Sequence, residues 1–144
     1  MAKYATGLFI PKNPAKYVGN KDIIYRSSWE YLFFSFLDNH PNVLQWSSES
    51  LRIPYFNPIK GKQSVYIPDV FMVYMDAAGQ KHAELIEIKP SKEQSMGAAK
   101  SSRDKLMVVQ NYAKWQAATQ FCQMQGIKFR VLTELQLFQY TGGK

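Results

Sequence analysis

The 144-residue sequence contains a single cysteine, Cys122, so no internal disulfide is available and the apolar core has to hold the fold together. No apolar run approaches the roughly 20 residues needed to cross a bilayer. The N-terminus, MAKYATGLFIPKNPAK, is basic, but its apolar stretch is too short and too broken by proline for a signal peptide. These absences imply an intracellular, reducing compartment and no membrane partner. Only two histidines are present, His40 and His82, and neither has a second His or Cys at ligand spacing, so no zinc site is expected. Internal repeats, low-complexity tracts and linker-like stretches are also missing. The chain therefore reads as one domain, residues 1–144, of which 1–26 form a basic, extended N-terminal arm.

Acidic residues are scarce: 11 Asp and Glu stand against 18 Lys and Arg, a net charge of +7. Such an excess suits a polyanion, because lysine and arginine displace counterions from a phosphate backbone, although a merely soluble basic protein has the same balance. Placement says more. Lys60 and Lys62 flank a glycine turn, and residues 89–105 carry Lys89, Lys92, Lys100, Arg103 and Lys105. The cations are scattered rather than aligned on one helix, so strong base readout is not expected.

Apolar residues make up 46% of the chain and aromatics 15%, enough for a packed core. In RSSWEYLFFSFLDNHP, Trp29, Leu32, Phe33, Phe36 and Leu37 recur at helical spacing, predicting a helix from Ser27 to just before Pro41. VLQW, LRIPYF, QSVYI, VFMVYM and HAELIEI then read as strands, with DAAGQ (76–80) as the turn between the last two. A helix over about 104–124 follows, its core face drawn through Leu106, Val109, Ala113, Ala117, Phe121 and Met124, and Gly126 ends it. Cys122 on this helix is expected to be core packing. KFRVL is a last strand, and Thr133 opens a short terminal helix. The expected class is α/β or α+β, a mixed sheet with an antiparallel hairpin flanked by helices.

Two acids break this pattern. If the hairpin folds at Ala78, residues whose numbers sum to 156 face each other, and Asp69 meets Glu87. The period of two puts Lys89 on the same face, with opposed Cβ atoms about 4.5–5.5 Å apart. Opposed carboxylates repel, so the arrangement calls for a cation between them, and Mg²⁺ held by two carboxylates and the Ile88 carbonyl fits. The competing readings are a loop acid after proline and a solvated strand edge. Glu-x-Lys alone arises by chance in about half of chains of this length, so the weight rests on the combination. Glu30 has two readings as well, a capping box with Ser27 or an acid at the site. Glu49 reads as a loop acid. Gln110 and Lys114, one turn apart, face either the site or solvent.

Together RSSWE (26–30), IPYFNPIKGKQSVYIPDV (53–70) and ELIEIKP (84–90) resemble the PD-(D/E)xK nuclease superfamily. The resemblance is to the branch with TnsA-type endonucleases and, within it, to the head completion nucleases of large tailed bacteriophages. It implies a restriction-endonuclease-like core and a metal-dependent DNA endonuclease, with Glu30, Asp69, Glu87 and Lys89 as catalytic residues. Asp69, Glu87 and the Ile88 carbonyl, with Glu30 in addition, would hold Mg²⁺, for which Mn²⁺ would substitute. Lys60, Lys62, Lys92, Lys100, Arg103 and Lys114 would meet double-stranded DNA, and no nucleotide cofactor is implied. It also implies work on packaged DNA near the portal before tail attachment, beside portal and neck proteins, in the host cytoplasm or on the virion. The alternatives are a non-catalytic DNA-binding head or neck protein and a resolvase or transposon-type endonuclease.

Overall fold

The computed structural model of the protein describes residues 6–89 and 101–141. Strands β1 (Gly7–Phe9) and β2 (Ile23–Tyr25) flank a 3-10 turn at Pro14–Lys16, and α1 follows at Ser28–Asn39. Five strands come next: β3 (Val43–Ser48), β4 (Ile53–Asn57), β5 (Lys62–Tyr66), β6 (Val70–Met75) and β7 (Lys81–Ile88). The chain closes with α2 (Ser102–Gln125), β8 (Lys128–Leu132) and α3 (Glu134–Thr141). The central sheet runs β3-β6-β7-β8, antiparallel except for the parallel pair β7/β8, whose crossover contains α2. β4 and β5 form a separate two-stranded ribbon, as do β1 and β2. This mixed sheet with helices has the class expected from the sequence and is consistent with a restriction-endonuclease-like fold. No helix among the described residues is long and apolar enough to cross a membrane.

Period-two alternation sorts the sheet into two faces. Val70, Met72, Ile86, Ile88 and Leu132 pack with Phe33, Phe34 and Leu37 of α1 and Leu137 of α3. Leu85, Phe71 and Phe129 lie on the opposite side with Ala118 and Cys122 of α2 and with Ile53, Tyr55 and Tyr66 of the ribbon. β7 is buried on both faces from Glu84 to Ile88. Glu87, in phase with Leu85, therefore belongs to the α2 and ribbon side.

Local signals set the helix ends. Ser27 caps α1, its hydroxyl accepting the Glu30 N–H at 3.2 Å, and Ser101 caps α2 in the same way from Asp104 at 3.0 Å. Gly126 stops α2 in a left-handed conformation, φ 73°, that a residue with a Cβ adopts at a cost.

Three expectations change. The residues read as an extended arm pair as β1 and β2, and Phe9 and Ile23 enter the core. Buried Asp38 fixes the segment between them. It accepts the Lys12 and Asn13 N–H groups at 2.8 and 3.1 Å, while its carbonyl accepts Asn13 Nδ2 and Lys16 Nζ. The buried stripe of α1 also takes in Phe34 and Asp38. On α2, Val108, Asn111, Ala118 and Cys122 are buried, whereas Leu106, Val109 and Met124 of the expected core face are exposed. The ribbon packs closely against this helix, so small side chains such as Ala118 and Cys122 occupy the centre of the contact, with Trp115 and Phe121 packed at its margin.

Candidate active site

The β6–β7 turn sets the geometry. Asp76 Oδ1 accepts the N–H groups of Ala78 and Gln80, each at 2.9 Å, and closes the turn at 76–80. The resulting ladder pairs Val70 with Ile86 through Met75 with Lys81, every pair summing to 156. Asp69 and Glu87 are the next pair beyond its end. Asp69 Oδ2 accepts the Ile88 N–H at 2.7 Å, which draws the acid across to the strand carrying Glu87. Glu87 is 6% exposed and held by both oxygens. Oε1 accepts the Tyr66 hydroxyl at 2.9 Å, and Oε2 lies 3.5 Å from Lys89 Nζ.

Burial and mutual repulsion dominate the electrostatics. Asp69 is pushed well above the usual carboxylate range by desolvation, then by the charges of Glu87 and Glu30, against the opposing Ile88 N–H and Lys89. Desolvation also raises Glu87, with Lys89, Tyr66 and Lys114 pulling it back, and raises Glu30. Metal-free folding thus disfavours the ionised acids. A carboxyl group whose folded pKa is raised contributes stability that is complete below its unfolded pKa and lost as pH rises through the folded value. The thermal midpoint of the protein in EDTA is expected to fall as pH climbs from the ordinary values of 3.8 for Asp and 4.5 for Glu toward neutrality. Asp69→Asn keeps the Ile88 hydrogen bond and should flatten that decline and raise the midpoint at pH 7. A variant melting with the wild-type pH profile would show that Asp69 carries no such penalty.

The capping box is only half formed: Ser27 accepts the Glu30 N–H, but Glu30 Oε1 accepts the N–H of Arg26, one residue before the cap, at 2.9 Å, and the Glu30 charge reaches Asp69. Among the described residues, no three His, Cys, Asp or Glu side chains gather closely enough to hold a metal ion. The pair that could hold a cation is Asp69 and Glu87. It fits Mg²⁺, which takes one or two carboxylates and completes its shell with water and phosphate. The Ile88 peptide lies between Glu87 and Lys89, with its N–H turned to Asp69.

The sequence reading gave no role to two contributors, Tyr66 from β5 and Arg26 from the chain before α1, although both lie inside the segments that carry the resemblance. Arg26 grips Glu49 through two hydrogen bonds of 3.0 and 3.1 Å. Glu49, at φ 52°, donates its N–H to the Asp69 carbonyl at 3.0 Å, so this loop acid buttresses the site. Gln110 and Lys114 both face inward from α2. Gln110 Nε2 donates to the Tyr55 hydroxyl at 3.2 Å, and Lys114 Nζ sits 5.7 Å from the centre of the Tyr66 ring. Lys60 and Lys62 are exposed on the ribbon, and Arg103 is exposed in the first turn of α2. Lys92 and Lys100 lie outside the described residues.

A second polar cluster occupies the other face of the sheet. Glu84 accepts the Tyr74 hydroxyl at 2.7 Å and Arg130 Nε at 3.0 Å, beside a cavity of about 620 Å³ lined in part by Phe36, His40 and Lys128. It lies toward the opposite end of β7 from Glu87 and shares no residue with the acid pair.

Comparison with known proteins identifies the family. The chain is 40% identical over 140 residues to the head completion nuclease of Enterobacteria phage T4, an alignment covering 90% of this chain and 91% of that protein. The family model of the TnsA-like endonuclease N-terminal domain matches residues 40–134, a span that contains Asp69, Glu87 and Lys89 and leaves Glu30 just outside. The protein therefore belongs to the TnsA-like endonuclease family.

Proposed function

We propose that this endonuclease hydrolyses phosphodiester bonds of double-stranded DNA with Mg²⁺, or Mn²⁺ in its place, through a site of the PD-(D/E)xK type. Its relative's name, head completion nuclease, assigns the work to completion of a phage head in an infected cell. Packaged DNA near the portal is the substrate that this reading entails, with portal or neck proteins as partners and the host cytoplasm or the virion as location.

The observation that carries the reading is the pair of half-buried Asp69 and buried Glu87, set side by side at the end of one hairpin with Lys89 on the same strand. Two carboxylates and one ammonium leave excess negative charge in a desolvated place, and a divalent cation relieves it. Asp69 and Glu87 would hold that cation, with the Ile88 carbonyl and Glu30 as further donors. When bound, it would supply Lewis acidity toward a phosphodiester and lower the pKa of a water molecule. The remaining roles belong to the chain. Tyr66 fixes the Glu87 carboxylate in one orientation. Lys89 is placed to donate to a phosphate oxygen as charge builds on it, an interaction worth about 10²–10³ in rate where one such donor has been removed. Lys114, over the Tyr66 ring, adds positive potential facing Glu87.

The test is cleavage of circular duplex DNA by wild type and Lys89→Ala in Mg²⁺, Mn²⁺ and EDTA. The expected result is cutting by wild type with either metal, none in EDTA, and a Lys89→Ala rate lower by about 10²-fold. Equal rates for the two proteins, or cutting that survives EDTA, would overturn the assignment. Duplex binding with no cutting in any condition would favour a structural DNA-binding role.

A further inference from the structure

The β4–β5 ribbon has two unlike faces. Inward, Ile53, Tyr55 and Tyr66 pack on α2 and Leu85. Outward, it presents Phe56 at 54% exposure and Val65 at 49%, with Ile59 at the tip and Ile67 just past the base also exposed. Phe56 and Val65 occupy opposite strands, in neighbouring cross-strand pairs with Gln63 and Pro54. A solvent-facing strand surface is ordinarily polar, and an exposed apolar patch rimmed by polar groups marks a contact surface.

The ribbon's charge identifies the partner. Residues 50–68 contain Arg52, Lys60 and Lys62 and no acid. The tip is also rigid. Buried Asn57 accepts the Ile59 and Lys60 N–H groups on its Oδ1 at 2.9 and 3.2 Å, and Gly61 completes the turn at φ 67°. A preorganised ribbon with a basic tip loses little conformational freedom on binding. Its base ends at Tyr66, whose hydroxyl bonds Glu87, so the ribbon projects directly from the acid pair.

We infer that the outer face of the β4–β5 ribbon docks into the major groove of duplex DNA, with Lys60 and Lys62 on the flanking phosphates and Phe56 and Val65 against the base edges. This inference rests on the nuclease reading and adds to it how substrate is held. A two-stranded ribbon fits the major groove, about 12 Å wide, and apolar groups there meet the methyl of thymine. Gln63 is the one outward polar group among these strand positions able to read a base edge, so contact is broad and sequence preference slight. The ribbon thereby sets the distance between the groove it occupies and the phosphodiester brought to Glu87.

The experiment measures affinity for a short blunt duplex in EDTA, where binding is read without cleavage, and repeats it in Mg²⁺ in the Glu87→Gln background. Phe56→Ser/Val65→Ser is expected to weaken binding at least about tenfold with an unchanged salt slope and melting temperature. Lys60→Gln/Lys62→Gln should reduce the slope of log affinity against log salt by about 1.8, at about 0.9 per phosphate contact. If both double variants bind like wild type, the ribbon is not the docking element, while the nuclease reading stands. Unchanged binding with loss of self-association in the apolar variant would make this face a contact between copies and overturn the inference. Failure of both wild type in EDTA and Glu87→Gln in Mg²⁺ to bind duplex would overturn the nuclease reading and the inference together.

Discussion

Glu87→Gln is expected to slow cleavage of circular duplex DNA by about 10³-fold while leaving duplex affinity in EDTA within about twofold. Glutamine has nearly the shape of glutamate, and its amide oxygen can still accept the Tyr66 hydroxyl that Oε1 accepts at 2.9 Å. Packing on the α2 side of β7 is therefore preserved. The charge is what disappears, and with it half of the acid pair that would hold a divalent cation. A rate loss of that size corresponds to about 4 kcal/mol of transition-state stabilisation, within reach of removing a metal ligand and the charge that orients Lys89. The comparison is informative because folding moves in the opposite direction. Desolvation makes ionised Glu87 unfavourable in the metal-free protein, so the neutral isostere should melt no lower than wild type in EDTA. A Glu87→Gln protein that cuts at the wild-type rate would remove Glu87 from the site.

Trp46→Ala should produce the largest stability change, about 3–5 kcal/mol by urea denaturation. Trp46 is fully buried on β3, with the rings of Phe9, Tyr17 and Phe34 at 5.9, 4.8 and 5.3 Å. Its carbonyl accepts the Val18 N–H at 3.0 Å, so the residue joins the N-terminal segment, α1 and the central sheet. Alanine would leave a cavity that three aromatic neighbours from three separate elements have little freedom to fill. Trp46→Phe is expected to cost less, under about 2 kcal/mol, because the buried indole N–H has no hydrogen-bond partner to lose among the described residues. An alanine variant within about 1 kcal/mol of wild type would show that this cluster collapses around the gap.

What was legible in the sequence follows from how local each signal is. The β6–β7 register could be read because a short turn fixes it, and with it the convergence of Asp69 and Glu87. Helix ends marked by Ser27, Thr133 and Gly126 were also readable, since a cap uses residues three or four apart. The α2 face was not. Its buried positions include Asn111, Ala118 and Cys122, whose presence inside depends on how closely the ribbon approaches the helix. Asp38 gave no sign of burial either, because the amides that it accepts come from residues 12 and 13. The supports of the site were hidden for the same reason. Tyr66 reaches Glu87 across 21 positions and Arg26 reaches Glu49 across 23.

The β6–β7 hairpin also bears on the order of assembly. Asp69 and Glu87 lie only 18 positions apart in sequence, whereas every β7–β8 pair spans 44 positions and must wait for the 39 residues between Ile88 and Lys128, including the whole of α2. Loop-closure entropy grows with length by about 0.6 kcal/mol per doubling, and contacts of short reach form first when little else separates them. The repelling acids are thus brought together by a short closure, before the sheet edge and α2 are in place to desolvate them. While Glu87 is still open to water its charge costs little, so the penalty for enclosing it falls late, when β8 and α2 have already committed the chain to the fold.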